Sequence, residues 1–421
     1  MNQRFAISLV CLVLAGCQSL YQHDDEPFDR FKAIEGVNTP VFQQKGYEQE
    51  NFYDYDKRVE AYLEQRLKPA YDASSGLYFQ NELSLQEKIK ESSPREIMPI
   101  CKPDERPLGI LMFHGLFKDS RDLYQVAAHI HAKRPCTWIR MPLMMGHGSV
   151  PGDTLFIDAI EDWYEPSKRL YDDFVNEPGV KSVALAGFST GTLLATHIAQ
   201  NAKKNNEMMP SSLLLMALPL RMQNEYKFQI VQWLQYLKPY MSQGKDDYPW
   251  VYDSSTSSII VEFNTLRQAV LDNHQSLDVP TLLFWVQDDD VIDVYKTTNQ
   301  ACTMFSSLNA TIYHTYDIPT LNDCDEKYIS LVPEKVSESI QSYSHSSMIN
   351  PLDDAWYDDD VYFCDGDMID IYGNTNGMAC HEIRSFTKSG TMDVENGMIH
   401  LLKNPHFDEM IDEMVDHLNA V

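Results

Sequence analysis

At 421 residues the chain is long enough for one large domain with insertions or for two smaller ones, and 43% hydrophobic residues with 11% aromatics supply a substantial core. Its 34 Lys and Arg against 62 Asp and Glu give a formal net charge of −28. That excess argues against nucleic acid and other polyanionic partners, because a phosphate backbone would be repelled.

The chain opens on MNQRFAISLVCLVLAGCQSL, with one positive residue, Arg4, and an apolar run from Phe5 to Ala15. The run is too short to span a bilayer and has the shape of a secretory signal. Leu14-Ala15-Gly16-Cys17 resembles the lipobox of bacterial lipoproteins, although an ordinary signal peptide with a chance cysteine would look similar. The resemblance implies a signal peptide over 1–16, a lipidated Cys17 and a polar tether over 17–50. Gln18 in place of Asp implies sorting to the outer membrane, facing the periplasm or the exterior. Six cysteines then remain, and an even number in an oxidising compartment favours disulfides over metal or redox chemistry.

An N-terminal helical extension is expected over 51–107. In NFYDYDKRVEAYLEQRL, Phe52, Tyr55, Val59, Tyr62 and Leu63 recur at helical spacing, and a loop rich in Pro and charge follows to Pro107. Beyond it, apolar strand runs at 108–114, 136–143, 182–187, 212–218, 281–286 and 310–314 alternate with helical stretches at 120–133, 160–175 and 190–204. Strands without polar alternation, separated by helices, indicate a mostly parallel sheet covered on both faces, hence an α/β doubly wound architecture over 108–421.

Two segments interrupt that alternation. A helical, aromatic-rich insertion over 220–278 carries Trp233, Tyr236, Leu237, Tyr240 and Trp250, and reads either as a lid over an acyl pocket or as plain core. An acidic, turn-rich insert spans 351–400; its DDD and DGD lack EF-hand spacing, so no metal is expected.

In SVALAGFSTGTLLA the strand at 182–187 runs into Gly187-Phe188-Ser189-Thr190-Gly191, and a helix follows at once. Gly-x-Ser-x-Gly alone is a weak signal. Between a strand and a helix it describes a sharp turn that exposes a serine hydroxyl, with helix N–H groups directed at developing negative charge.

This stretch resembles the nucleophile elbow of the α/β-hydrolase superfamily, and three others agree with it. ILMFHGLFKDS (110–120) resembles the strand and His-Gly loop that supply an oxyanion hole. MPLMMGHGSVPGDT (141–154) resembles a segment of the monoacylglycerol-lipase-like and serine-aminopeptidase-like groups, and VPTLLFWVQDDDVID (279–293) the strand and turn that present the acid. The resemblance implies an α/β-hydrolase fold with a helical cap, and a triad in the chain order Ser, Asp, His.

Ser189 is the expected nucleophile. Asp289 is favoured as the acid, because Asp289-Asp290-Val291-Ile292 fits the family spacing; Asp290 stays open as the rival, with Asp288 a solvated turn residue. His345, in the Ser-rich QSYSHSSMINP, is the expected base. His406 is its rival, at the start of an acidic helix, whereas His314 and His381 fit less well. His114 and His147 precede the serine and read as loop-shaping residues. The backbone N–H groups of Leu116 and Thr190 are the oxyanion donors the family pattern implies.

The expected activity is therefore cofactor-free hydrolysis of small-molecule or lipid esters through an acyl-enzyme. A peptidase or amidase of the same fold and a non-catalytic binding lipoprotein are the alternatives. Oligomeric state is not legible in the sequence. The expected disulfides are Cys101–Cys136, because both residues precede strands whose starts lie on the same edge of a parallel sheet, then Cys302–Cys324 and Cys364–Cys380. The last would close a loop of about 15 residues within an insert poor in apolar residues, worth about 3 kcal/mol.

Overall fold

A computed structural model describes residues 50–73, 84–235, 240–242, 255–273, 275–287, 289, 291–315, 324, 329–333, 345–351, 363–364, 399–400 and 404–421. The signal, Cys17, most of the tether, Asp288, Asp290, Tyr236, Leu237, Trp250, Cys380 and His381 lie outside the described residues.

In chain order the extension supplies helices α1 (Phe52–Ala73) and α2 (Leu85–Ser92) and strand β1 (Arg95–Ile97). Next come β2 (Leu108–Phe113), α3 (Tyr124–Lys133), β3 (Thr137–Met141), α4 (Glu165–Val175), β4 (Ser182–Phe188), α5 (Thr190–Asn205) and β5 (Leu213–Met216). The insertion contributes α6 (Tyr226–Leu234), the small pair β6 (Tyr240–Ser242) and β7 (Ser255–Thr256), and α7 (Ser257–Asp272). There follow β8 (Thr281–Val286), α8 (Val294–Met304), β9 (Leu308–Thr315), β10 (Ile329–Pro333), the small pair β11 (Phe363–Cys364) and β12 (Ile399–His400), and α9 (Phe407–Asn419).

Eight strands form one sheet in the order β1-β3-β2-β4-β5-β8-β9-β10. Only β1 runs antiparallel to its neighbour; every other pairing in that sheet is parallel. Every residue of β2, β5 and β8 is buried, so the sheet's centre is covered on both faces, which is why those strands read as unbroken apolar runs. The chain leaves β2 to one side for β3, then crosses back to the other side for β4. That reversal makes the carboxyl ends of β2 and β4 the usual place for a ligand in a doubly wound sheet.

Helix α2 and strand β1 stand where the Pro- and charge-rich sequence suggests a loop. Strand β1 pairs with β3, so the extension contributes an edge strand to the main sheet. Alternating half-buried and exposed residues gave β1 no apolar run to notice. Helix α2 starts with a capping box in which Ser84 and Glu87 satisfy each other's backbone N–H groups.

Helix α1 buries Phe52, Tyr55, Val59, Tyr62, Leu63 and Leu67 on one stripe, as its spacing requires. The same stripe carries polar contacts to the 141–154 segment. Tyr55 donates its hydroxyl to the carbonyl of Leu143, and Tyr62 donates to Asp153 Oδ2 at 2.8 Å. Arg66 donates Nε–H to Asp153 Oδ1 at 2.8 Å, while Ser149 donates to Oδ2 at 2.8 Å.

Two of the three expected disulfides are present: Cys101–Cys136 with Cα atoms 4.4 Å apart, and Cys302–Cys324 at 5.3 Å. Cys364 lies in β11, but its expected partner Cys380 is outside the described residues. In α6, Trp233 is 83% exposed, which removes the plain-core explanation for that residue.

The Arg66–Asp153 pair gives a direct test of how firmly the extension is attached. Both side chains are almost fully buried. Asp153→Ala leaves the Arg66 guanidinium buried without its carboxylate, a loss of about 3–5 kcal/mol. Urea unfolding should show that loss as a lower midpoint, whereas an unchanged midpoint would mean the pair holds nothing in place.

Candidate active site

Ser189 occupies a backbone conformation that L-residues adopt rarely, with φ 49° and ψ −117°. Such a residue stores on the order of 1–3 kcal/mol of strain and persists only where its surroundings over-determine it. Here they do. The N–H of Ser189 donates to Met216 O on β5 at 2.9 Å, and its carbonyl accepts the Thr192 N–H at 2.9 Å and also the Thr192 hydroxyl.

The flanking glycines are required by contact. A Cβ on Gly191 would lie 2.0 Å from the carbonyl oxygen of Phe113, and one on Gly187 would lie 2.4 Å from the carbonyl carbon of Gly191. The start of α5 is thus pressed against the end of β2 and could not be so with any side chain present.

Asp289 follows β8 in a tight turn, its N–H donating to Val286 O at 3.3 Å. Its carboxylate is buried and fully engaged. Oδ1 accepts the N–H groups of Val291 and Ile292 at 2.9 and 2.7 Å, and Oδ2 meets His345 Nδ1 at 2.6 Å. The apolar pair after the acid thus supplies the N–H groups that aim it.

His345 opens a short helical turn, His345–Ile349, whose Met348 and Ile349 are buried. The turn is tied to the C-terminal segment, because Asn404 donates its side-chain N–H to Met348 O at 3.1 Å and its backbone N–H to Asn350 O at 2.8 Å. The imidazole lies over Phe188, ring centroids 5.1 Å apart, which sets it beside the residue that precedes Ser189. The structure thus joins His345 to Asp289 after β8 and sets the imidazole against Phe188, the last residue of β4 and the neighbour of Ser189. His406 stands elsewhere, stacked on Tyr313 at 5.3 Å, and His314 lies in β9.

The turn after β2 completes the constellation. The Met144 N–H donates to His114 Nε2 at 2.9 Å, so Nδ1 carries the proton and donates to Gly115 O at 2.8 Å. Gly115 packs against the Phe188 ring, where a Cβ would come within 2.8 Å of it. Leu116 follows, half-buried, and Phe117 takes a positive φ of 64°, so the turn folds back tightly. Thr190 is the first residue of α5, and the first N–H groups of a helix have no intrahelical acceptor. The backbone N–H groups of Leu116 and Thr190 therefore stand on two segments, the turn after β2 and the start of α5, that are packed together beside Ser189.

Burial keeps both loop histidines neutral. His114 is held well below its ordinary value by desolvation, and next by its neighbour His147, whose ring lies edge-on at 5.0 Å. Desolvation lowers His147 to about 4. Sequence reasoning missed the work of Thr192, Met144 and Phe188. Thr192 acts through a local bond to the Ser189 carbonyl and Met144 through its backbone N–H on a side chain 30 residues away, and no spacing rule signals either. Among the described residues no group of three or more His, Cys, Asp or Glu could hold a metal ion, and no helix is long and apolar enough to cross a membrane.

No known family profile matches the chain, and no curated protein matches it. Solved structures do. A soluble variant of monoglyceride lipase from Saccharomyces cerevisiae is similar at 14% identity and a TM-score of 0.44, over 57% of this chain and 82% of that one. Monoacylglycerol lipase from Paleococcus ferrophilus is similar at 14% identity and a TM-score of 0.41, over 61% and 91%. Est1E from Butyrivibrio proteoclasticus is similar at 16% identity and a TM-score of 0.40, over 54% and 84%. At such values the likeness does not reach the chemistry of the site. The strand order, the reversal at β2 and the strained serine between β4 and α5 make this the α/β-hydrolase fold.

The loop histidines impose a pH dependence with a definite sign. The ordinary value for a histidine is near 6.5, and the folded values lie below it, so the unfolded chain binds more protons in between. Stability is then fully present above about pH 6.5 and falls as pH drops towards the folded value of His147, about 4. Melting temperatures measured across that window should decline, and His147→Gln should flatten part of the slope. Equal slopes in both proteins would contradict the burial argument.

Proposed function

We propose that this chain is a serine hydrolase that cleaves carboxylic esters through an acyl-enzyme. The observation that carries this reading is the 2.6 Å contact between His345 Nδ1 and Asp289 Oδ2, made beside the strained turn at Ser189. A carboxylate on Nδ1 fixes the imidazole tautomer and leaves Nε2 as the basic nitrogen.

In this reading His345 takes the Ser189 proton as Oγ attacks the substrate carbonyl carbon. Asp289 stabilises the imidazolium that forms. The N–H groups of Leu116 and Thr190 meet the oxyanion, where prearranged donors contribute most because the charge exists only in the transition state. The imidazolium then protonates the leaving alkoxide. Water, deprotonated by His345, attacks the acyl carbon; the bond to Ser189 Oγ breaks, Oγ takes the proton back from the imidazolium, and the carboxylic acid is released. No step needs a cofactor. Esters are the substrate class that the sequence resemblance implies, and amides are the rival to be assayed beside them.

We also propose that Cys17 anchors the protein to the outer membrane of a bacterial cell envelope, on the strength of Leu14-Ala15-Gly16-Cys17 behind a short apolar run. Cys17→Ser should move the protein from the membrane fraction to the soluble one; detergent-dependent extraction of that variant would overturn the anchor.

For the chemistry, Ser189→Ala should abolish hydrolysis of p-nitrophenyl esters while leaving the fold intact. His345→Ala should lower kcat by several orders of magnitude, on the order of 10³–10⁶-fold, as loss of a triad member does. His406→Ala should leave kcat within about twofold, since its ring packs on Tyr313. Wild-type turnover by the Ser189 variant would sink the assignment.

A further inference from the structure

The extension reaches the turn after β2 through a buried polar chain. Lys88 donates from Nζ to Ser92 Oγ at 2.5 Å, and Ser92 donates to Asp119 Oδ2 at 2.8 Å. Lys88 Nζ also lies 3.9 Å from that oxygen, and all three side chains are buried. Ser92 touches the second loop of the site as well: a Cβ on Gly148 would come within 2.9 Å of Ser92 Cβ.

Asp119 stands at the far end of the turn 115–118. Its Oδ1 accepts the Arg121 N–H at 3.0 Å, and its carbonyl accepts the Asp122 N–H at 3.1 Å. Asp122 Oδ2 in turn faces the Gly115 N–H at 3.5 Å, and the Lys118 N–H closes the turn on Gly115 O at 3.4 Å. The hydroxyl of Ser120 donates to the carbonyl of Ser93, a second tie between the extension and this segment.

The near end of the turn is held by the Met144 N–H on His114. Leu116 lies between the two anchorages. A lysine buried only as packing is a poor choice, because an apolar residue of similar volume fills such a space at no desolvation cost. What the lysine adds is direction, through a hydroxyl that accepts from it and donates to a carboxylate.

We propose that Lys88 and Ser92 are positioning residues that, through Asp119, fix the turn presenting the Leu116 N–H to the oxyanion. The inference rests on the reading of Ser189 as nucleophile. In that light the extension is part of the catalytic apparatus, and the hydrolytic unit cannot be trimmed to begin at residue 108.

The charged groups around Lys88 are Asp119 across the contact and Glu91 on its own helix; Arg95 acts on Asp119, and Lys118 pairs with Asp122 beside it. Burial lowers Lys88 to about 8. Its charge is therefore lost from the contact at mildly alkaline pH.

The test uses the full chain with p-nitrophenyl butyrate and compares wild type with Ser189→Ala, Ser92→Ala, Lys88→Met and Ser84→Ala. Ser92→Ala and Lys88→Met should lower kcat about tenfold with KM within about twofold, because misplacement of a transition-state donor leaves ground-state binding intact. Wild-type kcat should decline above about pH 8 towards the Lys88→Met value, and Lys88→Met should show no such decline. Ser84→Ala removes the N-cap at the opposite end of α2, so it should lower Tm and keep kcat. Should Lys88→Met not fold, Ser92→Ala decides. Wild-type kcat in Ser92→Ala and Lys88→Met, whatever their Tm, would overturn the positioning role while leaving the nucleophile reading intact. Full activity in Ser189→Ala would take both down.

Discussion

The structure depends on one close approach, the backbone of Gly191 against the carbonyl of Phe113. With 2.0 Å where a Cβ would stand, the start of α5 can lie against the end of β2 only if residue 191 has no side chain. That contact sets the frame of the site. Ser189 beside it takes a positive φ, and the first N–H groups of α5 lie beside the turn that carries Leu116. Phe188 stands where the imidazole of His345 can lie over it. The strain at Ser189 is borne by a parallel sheet whose centre is buried on both faces, so the cost of the turn is spread over the most stable part of the molecule.

Around that contact the polar groups are arranged as supports. Asp289 has both oxygens occupied, one by backbone N–H groups and one by His345, so the imidazole is held from behind by a carboxylate that cannot swing away. Support for the loops comes from the extension. Helix α1 holds the 141–154 segment through Tyr55, Tyr62 and Arg66, while α2 holds the turn after β2 through Ser92. Buried ion pairs are poor contributors to net stability, but they fix relative position because each wrong arrangement leaves a charge uncompensated.

Much of this was legible in the sequence, and the physical reason is burial. Strands covered on both faces are apolar nearly throughout, so β2, β4, β5 and β8 stood out as runs, while β3, with Arg140, and β9, with Asn309 and Thr311, were marked by shorter apolar stretches. Edge strands have no such signature: β1 is only part-buried, and β10 carries an exposed Leu331 and ends on Pro333. Helix α2 could have been found from Ser84 and Glu87 at capping-box spacing. At the site, Gly187, Ser189 and Gly191 were legible because a close backbone approach demands specific residues at fixed offsets. The roles of Lys88 and Ser92 were not, since nothing in a lysine's neighbours along the chain shows that it is buried against a carboxylate 31 positions away.

The central claim is that Ser189 is the covalent nucleophile of this site. The most direct measurement is to quench the wild-type protein with acid during turnover of p-nitrophenyl acetate and map the acetyl group by peptide mass spectrometry. The account predicts an acetyl group on Ser189 that accumulates within the first turnover and disappears once substrate is exhausted. Turnover accompanied by acetylation of another residue, with Ser189 unmodified, would contradict it.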